Sequence, residues 1–214
     1  MKWSLRPEYK IGFGSVVVAL VLLQSACSYR LETTRQTPEN WPQTVAQRQQ
    51  LSAWKLTGRL GIQTENEGGS LDLFWNQQGE RYKIRLIAAL GQGTILIQGG
   101  AGGVWLKTAE GEVYADSADE LLASSLGVPV PISGLRAWLR GIPAEDLPVR
   151  KQSWNDQGQL HRLIQGGWNI EMSEYKKVEA QILPHAFYLS RDDRPELAIR
   201  LLIRQWTLLD SEAV

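Results

Sequence analysis

The stretch Tyr82–Gln98, YKIRLIAALGQGTILIQ, decides the fold. Tyr82, Ile84 and Leu86 alternate with Lys83 and Arg85, the period-2 pattern of a half-buried strand. Ile95 and Ile97 resume the alternation after Ala-Ala-Leu-Gly-Gln-Gly, in which Gly91 and Gly93 can take the positive φ of a turn. Two strands joined by a tight connection predict an antiparallel hairpin. Its tip carries Leu90, although loops run over the surface and are normally polar. That leucine is either tucked under a neighbour or exposed for a purpose.

The pattern extends outward in both directions. Trp54–Gln63 alternates Trp54, Leu56, Leu60 and Ile62, with Gly58 and Gly61 weakening or bending the strand. Leu71, Leu73 and Trp75 share one face, opposite Asp72 and Asn76. The glycine run Gly99–Gly103 leads into Val104-Trp105-Leu106, and Ala109-Glu110-Gly111 turns into Val113–Ala115. Closely spaced strands with short turns predict a meander. Val149 onward repeats this habit: Arg150–Trp154, Leu160–Ile164, then Trp168, Ile170 and Met172 in alternation. Ile182–Leu189 contains Pro184 and suits an edge or interrupted strand. Leu197–Leu208 is the longest strand, with Leu197, Ile199, Leu201 and Ile203 on one face and Leu202, Trp206 and Leu208 on the other.

Helical signals interrupt the strands in two places. Thr44–Ala53 reads as a short helix with Val45 and Leu51 on its apolar side. Ser117-Ala-Asp-Glu120 is a capping box, followed by Leu121, Leu122 and Leu126 and stopped by Gly127. After Val128-Pro-Val-Pro131, Ser133 can cap a second helix carrying Leu135, Trp138 and Leu139 and ending at Gly141. Two amphipathic helices inserted in mid-sheet either cover one face or close a core. The fold class expected is mainly β with short helices.

The first residues read as an address. Lys2, Arg6 and Lys10 precede Ile11–Leu23, an uncharged apolar run of 13 residues. That is too short for a span of ~20 residues and fits a signal-peptide core. Gln24-Ser25-Ala26-Cys27 resembles a bacterial lipobox, with Gln24 where leucine is usual. Cys27 is the sole cysteine, so no intramolecular disulfide forms, and acylation accounts for it. Multiple acyl chains make a stable membrane anchor. Ser28 follows, and the absence of aspartate there points to outer-membrane sorting. The expected divisions are 1–26 signal peptide, 27–42 lipidated tether, 43–209 one globular domain and 210–214 a tail.

From Cys27 onward 20 basic residues face 22 acidic ones. A near-neutral chain without a clustered basic face does not suggest nucleic acid as a partner. No catalytic constellation assembles. Only His161 and His185 are present, and there is no G-x-S-x-G, H-E-x-x-H, C-x-x-C or P-loop pattern. Asp116, Asp119 and Glu120 are accounted for by helix capping. An enzyme is not expected, and neither is a metal, a cofactor or a nucleotide. What abounds is apolar surface, including eight tryptophans after the leader. Those residues fill a conventional core or leave an apolar cavity of the kind that holds acyl chains.

The lipoprotein leader, Trp54-Lys-Leu-Thr-Gly-Arg-Leu-Gly61, Phe74-Trp-Asn-Gln77 and the Leu90 tip together resemble one family. Asp119–Leu122, Gly127-Val-Pro-Val-Pro131, Leu135-Arg-Ala-Trp-Leu-Arg-Gly-Ile-Pro143 and Ile203-x-x-Trp206 extend the likeness over nearly all of residues 27–209. The family is LolB, outer-membrane lipoproteins that receive and insert other lipoproteins. At the tip, Ala88-Ala89-Leu90 stands where Asn/Gly-Pro-Leu is usual. The resemblance implies an unclosed antiparallel β-barrel of about eleven strands with a helical lid over an apolar cavity. It implies lipidation at Cys27, a LolA-like periplasmic carrier, acylated lipoprotein cargo and outer-membrane lipid as partners, and Leu90 as the membrane-insertion residue. Lining of the cavity or lid would fall to Leu71, Leu73, Trp75, Ile84, Leu86, Ile95, Ile97, Leu121, Leu122, Leu135 and Trp138. The other reading is an envelope lipoprotein that binds or scaffolds without transferring cargo.

Overall fold

A computed structural model describes residues 36–88, 93–126 and 132–209. The leader, Cys27, Leu90, Gly127 and the tail at 210–214 lie outside the described residues.

Each alternating stretch becomes a strand of one antiparallel sheet. β1 (Ala53–Gln63), β2 (Gly68–Gln78), β3 (Arg81–Ala88), β4 (Thr94–Gly100), β5 (Gly103–Thr108) and β6 (Gly111–Ala115) form a continuous meander. β7 (Val149–Trp154), β8 (Leu160–Gln165), β9 (Trp168–Ser173), β12 (Ala186–Arg191) and β13 (Arg194–Leu208) form the other half. The halves join where β13 pairs with β1, giving the order β6-β5-β4-β3-β2-β1-β13-β12-β9-β8-β7. The two outermost strands, β6 and β7, do not pair, so the eleven-stranded sheet is curved but unclosed. A ribbon of β10 (Lys176–Val178) and β11 (Gln181–Leu183) stands apart. Of the two readings of 182–189, the interrupted strand holds and the edge strand does not: Pro184 divides the stretch, the first part joining the ribbon and the second entering the sheet between β13 and β9. Proline cannot donate to a ladder, which forces the break.

One bulge decides the phase of β13. Thr57 faces Gln205 while Gly58 faces Ile203, leaving Arg204 as the extra residue. The side-chain alternation therefore flips, and Trp206 points inward with only 7% exposure. Sequence alternation placed Trp206 outside with Leu202, and this is overturned. Gly58 is required there, because a Cβ would lie 2.5 Å from the Leu202 carbonyl oxygen.

Among the described residues three helices accompany the sheet. α1 spans Trp41–Gln49, earlier than the expected 44–53, because Pro42 suits a first helical turn and Ala53 is drawn into β1 opposite Gln78. Trp41 and Pro42, read as tether, belong to this helix, and Trp41 packs edge-on against Trp154 at 5.5 Å. α2 spans Ala118–Leu126 and α3 spans Ile132–Leu139. Ser117 caps α2 as its sequence predicts, its Oγ accepting the Glu120 N–H at 3.4 Å. Ser133 is not a cap, since α3 starts one residue before it. Gly141, at φ +72°, ends α3: its N–H bonds Trp138 O and the Ile142 N–H bonds Ala137 O, the paired bonds of a Schellman stop.

Candidate functional site: an apolar cavity beneath two helices

The concave face of the sheet has a packed end and an open end. At the packed end Trp54 meets Trp75 at 5.5 Å and Trp206 at 5.2 Å. Their polar atoms have partners: the Trp75 indole donates to Gln77 Oε1 at 3.0 Å, and Gln77 donates onward to Gly79 O at 2.7 Å. Toward the hairpin end of β3 and β4 the inward positions hold only aliphatic side chains, and there the core does not fill. A cavity of about 220 Å³ remains.

Its walls are Leu71, Leu73 and Trp75 of β2, Ile84 and Leu86 of β3, and Ile95 and Ile97 of β4. Leu122 of α2 and Leu135 of α3 close it from above. The structure thus brings nine of the eleven lining candidates together. Leu121 and Trp138 are buried but line other ground. Trp138 is held by its indole N–H, donated to Gln165 Oε1 at 2.8 Å. Six further walls come from Leu60 and Ile62 of β1, Ile199 and Leu201 of β13, Leu189 of β12 and Ile132 of α3. Their inward alternation is visible in sequence, but the β1–β13 pairing that brings them to the cavity is a contact between the first and last strands. A broader hollow of about 750 Å³ adjoins, sharing Leu71 and Ile95 and reaching the β5–β6 turn.

The covering helices are fastened unevenly. The C-terminal half of α3 is bolted down. Arg136 forks onto Glu80 at 3.0 Å, which holds the Glu80 carboxyl below its usual pKa. Arg140 donates to the carbonyls of Arg48, Gln49 and Leu51 at the end of α1. Arg48 is buried and donates to Gly141 O at 3.0 Å and Ile182 O at 2.7 Å, with Tyr175 stacked at 5.8 Å. Burial lowers the Arg48 pKa and raises that of Tyr175, whose hydroxyl donates to Leu160 O. α2 and the N-terminal half of α3 bury Leu121, Leu122, Ile132 and Leu135 in the core. Burial raises the pKa of Tyr82 on β3, and Asp119 of α2 lies near enough to add to that rise.

The two histidines are engaged by the backbone, His161 with Met172 O at 2.9 Å and His185 with Leu183 O at 3.0 Å. Among the described residues no three of His, Cys, Asp and Glu gather as metal ligands would. Chemically, then, the cavity can do one thing well: shelter a flexible hydrocarbon from water.

A family model described as outer membrane lipoprotein LolB matches residues 52–206. The outer-membrane lipoprotein LolB of Nitrosococcus oceani is 37% identical over 195 residues, 90% of this chain and 96% of that one. Its counterpart in Alkalilimnicola ehrlichii is 35% identical over 193 residues, 90% of this chain and 94% of that one. Among solved structures, a LolA superfamily protein from Nitrosomonas europaea superposes with a TM-score of 0.53 at 6% identity, over 78% of this chain and 93% of that one. A putative outer membrane lipoprotein-sorting protein domain from Vibrio parahaemolyticus gives 0.50 at 10% identity, over 80% and 92%. At such identities these two structures speak for the fold alone.

Proposed function

The chain belongs to the LolB family of outer-membrane lipoproteins, and from that membership we propose how it handles its cargo. It is a lipoprotein of the outer membrane that receives other lipoproteins in the localisation pathway. In our reading, Cys27 carries the acyl anchor. A LolA-like carrier presents a triacylated lipoprotein at the helix-covered mouth. The acyl chains pass into the cavity without crossing water, and are then released into the inner leaflet of the outer membrane. The protein's own residues bind and release; no catalytic step and no nucleotide enters.

The observation that carries this reading is the cavity of about 220 Å³ with side chains from six strands and two helices, all apolar residues. An apolar void of this kind stays dry and takes apolar guests. Its present volume is below the roughly 300–1,000 Å³ of sites for drug-sized ligands, so a guest with several acyl chains needs the cavity to widen. Admission requires α2 and the start of α3 to lift, the parts of the cover that the bonds of Arg136, Arg140 and Arg48 do not include. β3 ends at Ala88, opposite Leu71 of the cavity wall in the register, and Leu90 comes two residues later in the sequence; we assign it the insertion step.

The test is a two-step transfer with Leu90→Glu. Carrier-bound lipoprotein is mixed with the variant, then with membranes. Acceptance without insertion supports the assignment. Unchanged insertion makes Leu90 an ordinary turn residue. A wild-type protein that accepts nothing from the carrier would overturn the transfer reading and favour a non-transferring envelope lipoprotein.

A further inference from the structure

The cavity uses one face of the sheet, and the opposite face of β1–β5 carries a pattern the proposed function does not absorb. Successive side chains in a strand point to opposite faces. Lys55 of β1, Lys83 and Arg85 of β3 and Lys107 of β5 alternate with the inward Leu56, Ile84, Leu86 and Leu106, so all four cations stand on the convex side and are exposed. None of them makes an ion pair among the described residues. In the register Glu112 stands opposite Lys107, and Asp72 stands diagonal to Arg85. Farther along the same convex face the cations are neutralised: Arg59 and Arg204 share Asp72, and Arg162 pairs with Glu171.

The patch is local, because the chain from Cys27 onward has slightly more acids than bases. Gathering unpaired like charges works against a compact fold, so folding does not explain it. Aromatic side chains stand among the cations. Trp105 and Tyr114 are paired across β5 and β6 with rings 5.0 Å apart, and are 48% and 46% exposed. Arg85 lies over the Phe74 ring at 4.6 Å. Exposed Trp and Tyr beside Lys and Arg is the composition that settles at the head-group level of a bilayer.

We propose that this convex face docks on the anionic phospholipid leaflet to which the protein is anchored, and that docking turns the helix-covered concave face away from the membrane. The inference rests on the proposed function only in taking the chain to be tethered at a bilayer. The tether keeps that leaflet permanently within reach, and its negative surface potential complements the unpaired cations. A domain lying on its convex face presents α2 and α3 outward, the orientation in which a soluble carrier can reach them.

The test uses the full-length acylated protein in vesicles. With Cys27 acylated, an introduced cysteine is the only free thiol. Gln98→Cys, next to Lys83 and Trp105 in the register, and Ala123→Cys, on the exposed side of α2, each receive a fluorophore. A nitroxide on lipid head groups reports contact by quenching. The expected result is quenching of the residue 98 probe, and not of the residue 123 probe, in vesicles containing phosphatidylglycerol. It should fade in purely zwitterionic vesicles and in ~1 M salt, where the screening length falls to about 3 Å. Neutralising Lys55, Lys83 and Arg85 to Gln should lower the docked-to-undocked ratio about fivefold for each cation removed. Acceptance of lipoprotein from the carrier by that triple variant should remain at the wild-type level when measured in purely zwitterionic vesicles with the carrier in excess. Equal quenching in zwitterionic vesicles, stronger quenching at residue 123, or shielding of residue 98 only when the carrier protein is added would each overturn the proposal, the last by making the partner a protein. The transfer reading is judged separately, by whether wild-type protein on the same vesicles accepts cargo at all.

Discussion

The two ends of the concave interior are built from the same strands and behave as opposites. At one end, large rings and paired polar groups fill the space: Trp54, Trp75 and Trp206 in contact, Gln77 and Gln165 bridging backbone and indoles, Arg48 and Arg140 threaded into carbonyls. At the other, aliphatic side chains meet with no polar partner to hold them in register and a void is left between them. Hydrogen bonds demand one geometry, whereas aliphatic contact tolerates many. The first end fixes the fold. The second can change shape around a guest without breaking anything specific.

The sharpest way to break this comparison is to attack the polar end. Gln165 is fully buried and makes four hydrogen bonds, to the Trp138 indole, to both backbone groups of Ala144 and to Leu147 O. Gln165→Leu leaves all of them unpaired, and at about 1–3 kcal/mol for each buried orphan, partly relieved by water, denaturant melts should show a loss of about 3–6 kcal/mol. Gly58→Ala should come next. Its methyl would meet the Leu202 carbonyl at the bulge, costing about 1–3 kcal/mol in the same melts and disturbing the insertion of Trp206.

At the open end the expectation reverses. Ile97→Trp puts extra volume into space that is already vacant, so stability should move by less than about 1 kcal/mol, where a filled core would suffer more. Acceptance of lipoprotein from the carrier should nevertheless fall at least tenfold; equal acceptance would show that the acyl chains lodge elsewhere. Arg136→Ala removes a fork onto the largely exposed Glu80, and stability should change by no more than about 1 kcal/mol. The smallest effect is tied to pH. Burial lowers the His185 pKa, so the unfolded chain binds that proton more readily than the folded one. Stability from this group is intact above the ordinary histidine value of about 6.5 and drains as pH falls through it. A His185→Asn variant should lose that part of the melting-temperature slope.

Much of this was legible beforehand because it is local. Period-2 alternation located the strands, Ser117 and Glu120 announced α2, Pro184 announced a break and Gly141 a stop. Nine of the lining residues that the family resemblance implied stand on inward faces of β2 to β4 and on the helix stripes, where the alternation is local. What escaped was long-range. Leu60, Ile62, Ile199 and Leu201 reach the cavity only because β1 pairs with β13, and Trp206 turns inward only because of a bulge whose partner strand lies about 150 residues away in sequence. Trp138 has the spacing of a lining residue, yet its indole finds Gln165 and is drawn into the packed end.

By itself, then, the sequence determined the class of fold, the two inserted helices and a family resemblance that relatives at 35–37% identity bear out. These depend on neighbours in the chain, where alternation, caps and breakers act over a few residues. Only the tertiary structure decided that the interior is filled at one end and vacant at the other. Whether a set of apolar side chains closes on itself depends on sheet curvature and strand pairing, and both are settled by contacts between residues that the chain keeps far apart.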